Sequence, residues 1–131
     1  MSTPRAVDVV RRYFAAVNED RFDDLGDLFA PDIVLEMGGA ARCEGVEDAI
    51  GYYPRALAAL PVHDDEAVST LTSDDGRRVA VEIVFTGTTG DGRPLVFAAV
   101  DLFDLDEDGR ISRLRSFYDT TYVAAALRPP G

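Results

Sequence analysis

The chain has 131 residues, 47% apolar and 28% charged, with 24 acidic against 13 basic side chains and a formal net charge of -11. That length suits a single domain spanning residues 1–131, while the acidic balance repels phosphate backbones and anionic lipid surfaces and so argues against nucleic acid and membranes as partners. No apolar run approaches the about 18 residues of a membrane span, and MSTPRAVDVV lacks the apolar stretch of a secretory signal, so the cytoplasm is the expected location.

The first helix is predicted from Thr3, an N-cap residue followed by Pro4, to Asn18. Val7, Val10, Phe14 and Val17 fall on one face, with Tyr13 at its edge. Phe22, Leu25, Leu28 and Phe29 keep helical spacing in a short second helix that Pro31 should stop. Ile33 to Met37 reads as a strand ending at Gly38-Gly39. A third helix should start near Gly45 or Val46, carry Ile50, Tyr53, Leu57 and Leu60 inward, and kink or break at Pro54, which has no N–H to donate.

From Glu66 onward the period becomes two. Turn signals at Ser73–Gly76, Gly87–Gly92 and Asp106–Gly109 separate strands near Glu66–Thr72, Arg78–Thr86, Pro94–Asp104 and Arg110–Tyr122. Helices followed by an antiparallel meander give an α+β class, with three N-terminal helices packed on the concave face of a curved, mostly antiparallel sheet.

Most chemical motifs fail on inspection. Asp104–Gly109 begins like a calcium loop, but its twelfth position is Arg115 and its flanks are strand-like, so no metal site is expected there. The glycines of 87–92 lack the strand-to-helix setting of a phosphate loop. Cys43 has no second thiol, and His63 is a lone histidine in a connection, read as a surface residue, so neither a zinc site nor a nucleophilic triad assembles. The polar group that stands out is Asp101. It interrupts Val96–Val100 and Leu102-Phe103, a run too apolar to face solvent on both sides. A carboxyl so placed resists ionisation and tends to keep its proton.

Taken in order, Arg12–Asn18, Leu28–Asp32, Ala49–Tyr53, Val100–Phe103 and Asp108–Ile111 resemble the ketosteroid isomerase and SnoaL-like polyketide cyclase families of the nuclear transport factor 2-like superfamily. The resemblance implies a cone with an internal pocket. It also implies an oxyanion hole formed by a first-helix tyrosine and a protonated strand aspartate, with a third-helix tyrosine behind them, matching Tyr13, Asp101 and Tyr53. The family's proton-shuttling aspartate at the end of the first strand corresponds to Met37, which carries no proton, and Glu36 beside it faces the other way unless the chain twists. The arginine and second acid of the related epoxide hydrolases correspond to Ala99 and Ser116.

The activity implied by the resemblance is that of a cofactor-free acid/base isomerase or cyclase acting on a small apolar carbonyl or epoxide compound. Asp101 and Tyr13 would be its donors, Tyr53 their support, and Met37, Phe85, Phe97, Ser116 and Tyr118 its wall. The alternatives are a non-catalytic ligand-binding or accessory protein of the same fold, and a steroid isomerase using Glu36 as base. Homodimerisation through the outer sheet face, where Phe117 and Val84 point, is expected from the family.

Overall fold

A computed structural model describes residues 5–39 and 41–130. In chain order these form α1 (Ala6–Asn18), a 3-10 turn (Phe22–Asp27), β1 (Phe29–Met37), β2 (Ala41–Glu44), α2 (Val46–Ala56), β3 (Val62–Thr72), β4 (Arg78–Thr88), β5 (Pro94–Leu105), β6 (Ile111–Tyr118) and α3 (Thr120–Leu127). The strands make one curved, unclosed sheet in the order β2-β1-β6-β5-β4-β3, antiparallel throughout except for the parallel pair β1 and β6.

The period-two pattern places the core. Val79, Val81, Ile83 and Phe85 of β4 are buried while Arg78 and Glu82 are exposed, and Leu95, Ala99, Asp101, Phe103 and Leu105 form the matching inner row of β5. On β6 the inner row is Leu114, Ser116 and the half-buried Tyr118, and on β1 it is Ile33, Leu35 and Met37. Helix α1 lays Val9, Val10, Tyr13, Phe14, Ala16 and Val17 against this face, so Tyr13 stands at the centre of the apolar stripe rather than at its edge. Its ring meets Phe14 and Phe103 edge-to-face at 5.1 and 5.2 Å between centroids.

Several boundaries differ from expectation. The expected cap at Thr3-Pro4 lies outside the described residues, and α1 begins after Arg5 without a side-chain cap. Only a 3-10 turn forms over Phe22–Asp27; Phe29 already belongs to β1, which runs on through Pro31. Proline is tolerated there because the pairing of β1 with β6 is irregular between Phe29 and Val34, where a missing N–H breaks no ladder bond. β2, formed when the chain reverses after Gly38 and Gly39, was hidden by its shortness and its exposed alternation.

Helix α2 passes through Pro54 and ends two residues later at Ala56. β3 starts at Val62, not Glu66, and so takes His63, Asp64 and Asp65 into the sheet. The last strand stops at Tyr118. Asp119 accepts the N–H of Tyr122 at 2.9 Å and caps α3, so the chain returns over the cavity as a helix. No helix among the described residues is long and apolar enough to cross a membrane.

Gly38 is the tightest point of the β1–β2 reversal. Its φ is +61°, and a Cβ there would lie 2.7 Å from Thr120 Cγ2 and 3.1 Å from Tyr118 Oη. Gly38→Ala is expected to destabilise the protein by about 2–4 kcal/mol in urea unfolding; a loss below about 1 kcal/mol would show that this reversal is not the constraint described.

Candidate functional site

Between the inner sheet face and the three helices lies a cavity of about 240 Å³. Tyr13 and Val17 enter it from α1, Tyr52, Tyr53 and Ala56 from α2, and Val123 and Leu127 from α3. The sheet contributes Met37 from β1, Asp65 from β3, Ile83 and Phe85 from β4, Phe97, Ala99 and Asp101 from β5, and Ser116 and Tyr118 from β6. Leu57 and Leu60 complete the lining. Tyr13, Tyr53, Asp101, Met37, Phe85, Phe97, Ser116 and Tyr118, singled out in the sequence, therefore meet in one place.

Tyr13 and Tyr53 are 2% and 4% exposed, and their hydroxyl oxygens are 2.8 Å apart. Whichever hydroxyl donates to the other, the pair keeps one O–H to offer. Burial holds both phenols well above their ordinary pKa, so they remain donors at neutral pH. Tyr52, half-buried beside them, is pushed up to about 12, chiefly by burial.

Asp101 is 5% exposed, and its Oδ1 has no hydrogen-bond partner. Burial raises its pKa to about 7; the Ser116 hydroxyl opposite it on β6, without a well-formed hydrogen bond, offsets part of that rise, and the charge of Asp65 adds to it. A buried polar atom left unpartnered costs about 1–3 kcal/mol, so this carboxyl is available to a ligand oxygen.

Asp65 is the group that sequence reading missed. Its backbone N–H donates to Asn18 Oδ1 at 2.9 Å and its carbonyl accepts from Asn18 Nδ2 at 3.0 Å, so the amide of Asn18 pairs the open edge of β3 as a neighbouring strand would. Burial raises the Asp65 carboxyl to about 6, with His63 pulling down and Asp64 pushing up. The signal was weak because Val62–Ala67 has no apolar alternation; only its pairing, Asp65 opposite the buried Phe85, reveals the inward parity.

Two expectations are corrected. Glu36 does not reach the cavity: it alternates with Leu35 and Met37 to the outer face, where its Oε1 accepts from Arg42 at 3.1 Å and from Arg113 at 2.9 Å. The His63 side chain is only 6% exposed rather than on the surface, with Nε2 2.7 Å from Asp20 Oδ1. Arg115 alternates with Leu114 and Ser116 to the outer face of β6, where its buried Nε has no hydrogen-bond partner among the described residues.

Among the described residues no group of three His, Cys, Asp or Glu side chains is placed to hold a metal ion. A wider depression of about 570 Å³ beside Arg5, Arg77, Asp106 and Glu107 has no buried charged side chain.

The sequence pattern of the SnoaL-like domain matches residues 10–114. No curated protein sequence matches the chain. Among solved structures, one assigned as a SnoaL-like polyketide cyclase from Jannaschia sp. CCS1 superimposes with TM-score 0.85 at 21% identity, covering 100% of this chain and 99% of the other. A SnoaL-like polyketide cyclase from Agrobacterium tumefaciens C58 gives 0.76 at 21% identity over 98% and 100% of the two chains. An LEH-like epoxide hydrolase from M. tuberculosis gives 0.78 at 21% identity over 95% and 90%. Likeness at these identities carries the fold and not the reaction.

The carboxyl of Asp101 makes a stability prediction. Its folded pKa, about 7, lies above that of the unfolded chain. Below the unfolded pKa both states are protonated and the group contributes nothing; as pH rises toward 7 the unfolded state ionises first and folding is penalised. Asp101→Asn is expected to be near neutral in stability at pH 4 and stabilising by on the order of 2–4 kcal/mol at pH 8. An effect of equal size at both pH values would contradict the raised pKa.

Proposed function

The chain belongs to the SnoaL-like domain family, and from that premise we propose that the cavity is the active site of a cofactor-independent acid/base isomerase or cyclase acting on a small apolar carbonyl or epoxide compound. The observation that carries this reading is the convergence of a buried carboxyl with an unpartnered Oδ1 and a tyrosine pair 2.8 Å apart. A substrate oxygen set between Asp101 and the Tyr13–Tyr53 pair would receive O–H donors in a site walled largely by apolar side chains. Each such donor is worth about 3 kcal/mol to a developing oxyanion. Met37, Phe85, Phe97 and Tyr118 give the apolar wall, Phe85 and Phe97 being stacked at 4.7 Å.

The lining includes no lysine, arginine or histidine but two aspartates, which disfavours carboxylate or phosphate substrates and favours neutral ones. A second reading, a ligand-binding module without catalysis, is favoured by Met37 at the position where the resembling isomerases carry their base. A steroid isomerase using Glu36 finds no support, because Glu36 lies on the outer face with two arginines. We also propose self-association through that outer face, where Leu71 of β3, Val96 and Val100 of β5 and Phe117 of β6 are exposed.

An enolate mimic tests the donor set without knowledge of the substrate. 2-Naphthol should bind, and Tyr13→Phe and Asp101→Leu should each weaken it about 10-fold or more, the loss of one hydrogen bond to a charged oxygen. Binding of 2-naphthol unaltered in both variants would remove the oxyanion-hole reading.

A further inference from the structure

We propose that Asp65 of β3 is the proton acceptor of this site, standing across the cavity from Asp101 and supplying the function that Met37 cannot. The inference rests on the cavity being an acid/base site. Of the 24 acidic residues only Asp65 and Asp101 line it, and no histidine, lysine or arginine does. Burial raises the pKa of all four lining phenols, Tyr13, Tyr52, Tyr53 and Tyr118, which leaves them neutral and unable to serve as bases at neutral pH. Asp101, with its unpartnered Oδ1, is placed as a donor. Among the lining residues that leaves Asp65.

Its placement suits the task. Asp65 pairs with Phe85 and Asp101 with Val81, so two inter-strand spacings and four residue steps along β4 separate the two backbones. On a flat sheet that is about 16 Å, shortened here by curvature, which leaves room for a molecule between the carboxyls. The two hydrogen bonds exchanged with the Asn18 amide fix the Asp65 backbone while its carboxyl receives no hydrogen bond from any described residue, so it is held but not occupied. The charged and polar groups around Asp65 are His63 on its own strand, Tyr13 and Asn18 from α1, Tyr53 from α2 and Asp101 from β5, with Asp64 acting through its charge from the opposite face.

The step conserves atoms and electrons. The Asp65 carboxylate takes a proton from the carbon next to a carbonyl, and the C–H pair becomes a C=C bond as the carbonyl π pair moves onto oxygen. Asp101 and the tyrosine pair hold that oxygen through their O–H groups. The Asp65 carboxyl then returns the proton to a conjugated carbon and the C=O re-forms, so no co-reactant enters. Activity requires Asp65 ionised and Asp101 protonated, which coincides between about 6 and about 7.

Exchange of the α-protons of 2-tetralone in D2O, read by NMR, tests the assignment, with 2-naphthol binding measured on the same samples. Wild type should accelerate exchange most near the window between the two carboxyl pKa values. Asp65→Asn should lower exchange by about 100-fold or more while keeping or tightening 2-naphthol binding, which also shows that the variant is folded; Asp65→Glu should recover part of the rate. Full exchange in Asp65→Asn, a wild type that binds 2-naphthol without exchanging protons, or a wild-type rate that rises only with tyrosine ionisation would overturn the assignment. Failure of wild type to bind 2-naphthol would instead bring down the parent reading, and this one with it.

Discussion

Ionising Asp101 would put a full negative charge into a cavity walled by Ile83, Phe85, Phe97 and tyrosine rings, with no cation in the lining and no donor on Oδ1. Desolvation of that charge costs more than any partner present returns, so the carboxyl keeps its proton into the neutral range, near 7. The sheet makes this possible. Its parity sends Asp101 inward with Ala99 and Phe103, and α1 and α2 close over it with Tyr13 and Tyr53. A folded chain that retains such a group gives up stability above the unfolded carboxyl pKa, a sacrifice typical of a site kept for function.

The two carboxyls differ because their surroundings differ. Asp65 sits on the edge strand, with Asn18 fixing its backbone and the His63 imidazole nearby, and its pKa rises only to about 6. Asp101 lies on a strand flanked on both sides and feels the charge of Asp65, which helps to keep it protonated. Environments that separate two carboxyl pKa values are how one cavity can hold an acid and a base together. The Tyr13–Tyr53 pair, locked at 2.8 Å and packed against Phe103 and Phe22, adds a neutral donor that titrates far from either.

Much of this was legible in the sequence, and the misses have physical causes. The alternation of β4 declares the sheet directly, whereas the near-continuous apolar run of β5 shows only that Asp101 lies among covered residues, and its inward placing comes from the resemblance. Tyr13 and Tyr53 were found through helical spacing and resemblance together. Asp65 was not, because an edge strand paired on one side by β4 and on the other by a single asparagine needs no apolar pattern of its own, and Val62–Ala67 shows none. The expected last strand runs to Tyr122 and so overlaps the first three residues of α3, because β-favouring Thr120, Thr121 and Tyr122 follow Tyr118 and only the Asp119 cap turns the chain into a helix. Pro31 stops no helix because the irregularity in the β1–β6 pairing takes up its missing N–H.

Everything proposed for this site depends on Asp101 keeping its proton far above the ordinary carboxylate range, up to about 7. Carbon-13 labelling of aspartate side-chain carboxyls, with Asp101→Asn and Asp65→Asn used to assign the signals, reads each titration directly by NMR. Asp101 is predicted to titrate near 7 and Asp65 near 6. An Asp101 signal that titrates in the ordinary carboxylate range, near 4, would contradict it.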